Sequence, residues 1–197
     1  EWGIWTDPEP ETNGAFLHQQ NSMRDALIAS LTFDIFHSYA DRVLMANIAQ
    51  MVNVLQAMIL TEGKRMVLTP TYHVFNMYKV HQNATHIPTT IKSEMYEHDG
   101  ISIPAITGTA STKDGMVHIG LSNLHASKTI AVEVELSGGS VAKVSKATIL
   151  TAPEFNSYNS YDNPTVVTPT EFKAYSMDNG SVKVEMPPFS FVVLELE

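Results

Sequence analysis

The chain has 197 residues, 44% of them apolar and 17% charged, which is enough for one or two domains with a sizeable core. Its 21 acidic and 12 basic residues give a formal charge of −9, and no Lys/Arg cluster supplies the electrostatic footprint of a nucleic-acid binder. There is no cysteine for disulfides or thiolate metal sites, and no apolar run approaches the roughly 20 residues that cross a bilayer.

The first stretch, Glu1-Trp2-Gly3-Ile4-Trp5-Thr6-Asp7, sets a carboxylate at the end of an apolar, tryptophan-rich run. An indole face suits the C–H patches of a sugar ring while its N–H can donate to a hydroxyl, but the same residues also suit the end of a buried strand. Asp7-Pro8, Glu9-Pro10 and Asn13-Gly14 then mark a loop to about Gln20, either a rim beside Glu1 or a plain connector. Ser22 followed by Asp25 starts a helix that runs to Ser38, with Met23, Leu27, Leu31 and Ile35 at helical spacing and Phe33 and Phe36 widening the stripe.

Val43 to Ala49 is a short apolar run of the kind expected for a parallel strand buried on both faces, closed by Gln50. Taken by itself Gln50 reads as a surface glutamine; at the C-terminal end of a (β/α)8-barrel strand its amide donor and acceptor would make it a candidate sugar ligand. Thr69 caps and Pro70 opens a second helix carrying Val74, Phe75 and Tyr78, to about His81. Residues 82–98 read as the passage into a second domain. From Gly100 the period becomes alternating, in Val117-Ile119-Leu121, Ile130-Val132-Val134-Leu136 and Val182-Val184-Met186. Turns at Asp114-Gly115, Gly138-Gly139 and Asp178-Asn179-Gly180 punctuate these runs and point to an antiparallel β-sandwich. Ala152 to Pro164 is a long loop rich in Asn, Ser and Tyr.

No Gly-x-Ser-x-Gly elbow, phosphate-cradling loop or His-Glu-x-x-His motif occurs, and no cofactor is expected. The histidine pairs His81/His86 and His118/His125 have no ligand-like pattern and read as surface or hydrogen-bonded residues.

Glu1 to Asp7, taken with Asp41 to Val54, Leu68 to Tyr78, Ile149-Leu150-Thr151-Ala152-Pro153, Asn163-Pro164 and Pro187 to Glu195, resembles glycoside hydrolase family fifty-one, the α-L-arabinofuranosidases. The resemblance covers nearly the whole chain. It implies an α/β plus all-β architecture: the last two βα units of a (β/α)8 TIM barrel over residues 1–84, then an antiparallel, jelly-roll-like β-sandwich over 85–197. In the family the glutamate of Glu-Trp-(Gly or Asn)-x-Trp is the catalytic nucleophile, so Glu1 takes that role, with Gln50 and Trp5 contacting substrate and Trp2 packing behind the glutamate.

The resemblance further implies a retaining exo-hydrolase that releases terminal arabinofuranose from arabinan, arabinoxylan or their oligosaccharides. The family's acid/base is a glutamate following an asparagine, and no Asn-Glu pair occurs here. That carboxyl group is therefore expected on a complementary N-terminal barrel segment, and the chain alone is expected to be inactive. The family's sandwich also takes strand material from before the barrel. A homo-oligomer, commonly a hexamer, is implied, with no nucleic-acid or membrane partner and with the cytoplasm favoured over secretion. Two rivals stand beside this reading. One is an endoglucanase of the same family; the other is a non-catalytic carbohydrate-binding or structural module.

Overall fold

A computed structural model describes all 197 residues and divides them into two compact units, each built from two separate stretches of chain. The first comprises Glu1–Asn76 with Ala152–Thr168, and the second Met77–Thr151 with Pro169–Glu197. The Asn/Ser/Tyr-rich loop thus belongs with the N-terminal residues.

In the first unit, helix α1 spans Met23–Ser38. Its start follows from the sequence: the Asp25 carboxylate reaches back to the Ser22 N–H at 2.8 Å, one half of a capping box. Two further N–H groups of its first turn, from Met23 and Arg24, donate to the carbonyls of Ser157 and Phe155 at 2.9 and 3.0 Å, so the late loop completes the cap. The buried face runs through Met23, Ala26, Leu27 and Ser30, whereas Ile35, the last residue of the expected stripe, is 50% exposed. Small residues at 26, 29 and 30 turn the packed face away from that stripe.

Val43–Ala49 does not form a strand ladder. Its only backbone pairing is a parallel bridge between Trp2 and Ile48, and Leu44 and Met45 are 93% and 79% exposed. The segment around Trp2 supplies too short a partner for a longer ladder. Strands β1 (Ile59–Glu62) and β2 (Arg65–Leu68) form an antiparallel hairpin that the sequence pattern does not announce. Its two-residue connection, Gly63-Lys64, puts glycine at φ 57°. Ala57, Leu60 and Val67 are buried together beneath Tyr161.

Helix α2 spans Pro70–Tyr78 and continues as a short 3-10 turn over Lys79–His81, in line with the expected helix. Proline at its first position lacks the N–H that would otherwise need a partner. Thr69 acts differently from the expected cap: its hydroxyl donates to the carbonyls of Ala57 and Met58, both at 3.0 Å. It is Asn21 that accepts from the Thr71 N–H, at 3.2 Å.

The second unit is an all-antiparallel assembly. Its strands are β3 (Thr85–Ile87), β4 (Met95–His98), β5 (Ile101–Pro104), β6 (Ile106–Lys113), β7 (Met116–Asn123), β8 (Ile130–Val134), β9 (Val144–Leu150), β10 (Thr170–Glu171), β11 (Tyr175–Asp178), β12 (Ser181–Met186) and β13 (Ser190–Leu196). Six of them form one sheet in the order β10-β9-β13-β7-β6-β3, three form another in the order β11-β12-β8, and β4–β5 is a separate hairpin. Alternation selects the inward faces: Val182, Val184 and Met186 of the small sheet share one core with Ile119, Leu121, Val192 and Leu194 of the large one. Two-residue turns at Asp114-Gly115 and Asn179-Gly180 have positive φ at both positions, as tight hairpins require. Central β13 is buried on both faces, and on the second face Phe191 stacks on Tyr78 with ring centroids 4.9 Å apart.

Candidate active site

Trp2 is the fixed point of the first unit's N-terminal segment. Its N–H donates to the Asn47 carbonyl and its carbonyl accepts from the Ala49 N–H, both at 2.9 Å, which is the pattern of two parallel strands in register. Its ring stacks on Phe75 with centroids 6.1 Å apart and meets Phe33 and Phe36 edge-on at 5.7 and 5.9 Å. Trp2 is thus a packing residue, and it holds Glu1 immediately before one of two adjacent parallel segments.

Gln50 lies two residues beyond Ile48 on the other segment, after a cis Ala49–Gln50 peptide. Glu1 and Gln50 are both exposed, and Trp5, on the continuation of the first segment, is 68% exposed. The three residues singled out in the sequence therefore stand on neighbouring stretches of backbone with their side chains accessible, while the aromatic next to the glutamate is packed away.

What sequence reasoning misses is a set of buried amides that hold these stretches. Gln56 is 1% exposed; its carbonyl oxygen accepts from the Ile4 N–H and its NH2 donates to the Ala49 carbonyl. Gln19, equally buried, accepts from the Thr6 N–H at 2.9 Å and donates to the Ile4 carbonyl at 3.3 Å. Asn21 donates to the Gln56 backbone carbonyl at 2.9 Å and to the Thr71 hydroxyl at 2.7 Å. Gly3 fits into this arrangement because a Cβ there would come within 2.6 Å of the Gln56 side-chain nitrogen. The one available signal was a polar residue, Gln56, inside the otherwise apolar run Val54 to Leu60.

On α2, His73 is buried with its Nε2 unpartnered, and burial holds its pKa below the ordinary imidazole value. In the second unit, a cavity of about 860 Å³ opens between β6–β7 and β8, lined by Ile106, Ile119, Leu121, Val132 and Val134 among others. It is a gap over the core and contains none of Glu1, Trp5 or Gln50.

Comparison with known proteins identifies the class of protein. Residues 1–190 match the family described as the α-L-arabinofuranosidase C-terminal domain, and the chain belongs to that family, the C-terminal domain of the arabinofuranosidases of glycoside hydrolase family fifty-one. Along its whole length it is 50% identical to 38% of an intracellular exo-α-L-arabinofuranosidase of Bacteroides ovatus. The crystal structure of a family fifty-one arabinofuranosidase from Xanthomonas axonopodis pv. citri superposes on the entire chain with a TM-score of 0.96 at 51% identity, using 40% of that protein. An arabinofuranosidase from Thermotoga maritima, solved with arabinose, shares the fold at a TM-score of 0.83 and 24% identity over 98% of the chain and 41% of its own length. The chain therefore spans about two fifths of the length of the relatives it matches.

Proposed function

We propose that this chain supplies the nucleophile side of a retaining α-L-arabinofuranosidase, with Glu1 as the nucleophile and Gln50 and Trp5 as substrate contacts. The observation that carries the reading is the Trp2–Ile48 parallel bridge, which sets the glutamate and the glutamine on adjacent segments, each leading into a helix. That order supports residues 1–84 as the last two βα units of a (β/α)8 barrel, whose strand ends carry catalytic groups, with residues 85–197 as the sandwich domain.

In the proposed mechanism the Glu1 carboxylate attacks the anomeric carbon as the bond to the leaving oxygen breaks, and a second carboxylic acid about 5 Å away protonates that oxygen. The same second group then removes a proton from water, which displaces Glu1 and restores both carboxyls with overall retention. Trp5 offers an apolar wall to the furanose, and the Gln50 amide offers a donor and an acceptor to its hydroxyls.

The second carboxyl group is assigned to a complementary N-terminal barrel segment. The exposed Leu44 and Met45 of the first unit support such a covering segment, and the open apolar cavity beside β8, a strand at the edge of its sheet, supports strand material from before the barrel in the second unit. The substrates proposed are arabinan, arabinoxylan and their oligosaccharides, acted on from the non-reducing end by a cytoplasmic homo-oligomer.

Covalent trapping tests the assignment. The complete enzyme is treated with a mechanism-based arabinofuranosyl inhibitor, digested and mapped by mass spectrometry. The expected adduct lies on the peptide containing Glu1, one sugar per active site. An adduct on a different carboxylate would remove Glu1 from the role.

A further inference from the structure

The geometry points to Gln56 as a positioning residue for the reaction: its buried amide ties the segment bearing Glu1 to the segment bearing Gln50 and so sets the spacing between nucleophile and sugar-reading glutamine. The inference rests on the proposed roles of Glu1 and Gln50. Two adjacent parallel segments joined by a single bridge at Trp2 are free to splay beyond it, and Gln56 bonds the side on which they leave that bridge. Its oxygen takes the Ile4 N–H, three residues past Glu1, and its nitrogen gives to the Ala49 carbonyl, one residue before Gln50.

The residue is itself anchored through its backbone. Asn21 donates to the Gln56 backbone carbonyl at 2.9 Å, and Gln19 fixes the next turn of the same segment through Thr6 and Ile4. A glutamine is required because both a donor and an acceptor are used at once, at the end of a side chain long enough to reach both backbones. Gly3 records the closeness of the approach, since a methyl group there would displace the Gln56 amide. Displacing a catalytic group by about 1 Å can cost about a hundredfold in rate, so a clamp at this place acts on kcat more than on KM.

The test uses the complete enzyme with an aryl arabinofuranoside, and rates are expressed per active site titrated with the trapping inhibitor, so that unfolded protein does not count. Gln56→Met keeps the length and loses both bonds; at least a tenfold fall in kcat per titrated site with KM changed less than threefold is expected. Gln56→Glu retains the acceptor and donates to Ala49 only while protonated, so its kcat relative to wild type should fall at least fivefold between pH 5 and pH 8. Per-site kcat of Gln56→Met within twofold of wild type would overturn the inference. If that variant yields no titratable sites, a Gln56→Glu to wild-type ratio that stays flat with pH would overturn it instead. Failure of the wild type itself to be titrated at Glu1 would point to the proposed function and not to the clamp.

Discussion

Gln56 and Ile4, 52 residues apart in sequence, are joined by a hydrogen bond from the Ile4 N–H to the Gln56 side-chain oxygen, and the same amide reaches on to Ala49. A segment of six residues with no regular secondary structure is thereby held at Trp2, at Ile4 and at Thr6 by three different partners. The residues that follow Glu1 are thus held by this buried amide framework and by the aromatic cluster around Trp2.

Glu1→Gln in the complete enzyme should abolish turnover, by about a thousandfold or more, while sugar binding is kept, because the amide preserves shape and loses the anionic nucleophile. Steady-state kinetics paired with calorimetric titration of arabinose-containing oligosaccharide would check it. Activity within a few-fold of wild type excludes the role.

Gln50→Ala should lower kcat/KM by an amount equivalent to about 1–3 kcal/mol, the usual cost of leaving polar partners unpaired in a closed site. The exposed position of Gln50 makes an effect on folding small by comparison. Unchanged kinetics would return it to the surface glutamines.

The buried imidazole of His73 gives stability a pH dependence of definite sign. Its folded-state pKa lies below the ordinary value of about 6.5, so the unfolded chain binds the proton more readily. Its contribution is complete above that ordinary value and is lost as pH falls through the lower, folded one. His73→Phe should therefore narrow the loss of stability on acidification below about pH 6.5, measured by chemical denaturation at several pH values. A wild-type to variant difference constant from pH 5 to pH 8 would refute this.

Gly108 faces Leu121 in the β6–β7 register, and a Cβ at that place would come within 2.5 Å of the Gly120 carbonyl oxygen and 2.8 Å of Leu121 Cδ2. Gly108→Ala should destabilise the sandwich by about 1–3 kcal/mol through overpacking. Gly139, where an added methyl group would meet nothing within 4 Å, should accept alanine at little cost. Equal denaturation midpoints for the two variants would argue against the close packing of β6 on β7.

The sequence was legible where one local rule sufficed. The Ser22/Asp25 start of α1, Pro70 at the head of α2, and the Asp114-Gly115 and Asn179-Gly180 turns all appear where residue chemistry puts them. The alternation of Val182, Val184 and Met186 likewise marked the inward face of β12. Illegible features were those set by distant partners. Val43–Ala49 looks like a buried strand, yet a strand is made by its neighbours, and here only Trp2 pairs with it. Asn21 in place of Thr69 at the start of α2, and Gln19 and Gln56 around Ile4, depend on side chains meeting across 15 to 52 residues. Glutamine and asparagine carry no periodicity that would separate such a clamp from a surface amide.

The interleaving of the two units sets an order of events during synthesis. Asn159 donates to the Leu68 carbonyl at 2.9 Å, and 91 residues separate the two. At about 5–20 residues per second a ribosome takes roughly 5–20 s to deliver that partner. The second unit waits longer, because β13, residues 190–196, is inserted between β9 and β7 in the middle of its large sheet. The unit that begins first therefore gains little head start, and the sandwich has open edges on β7 and β9 to shield until the last strand has left the ribosome.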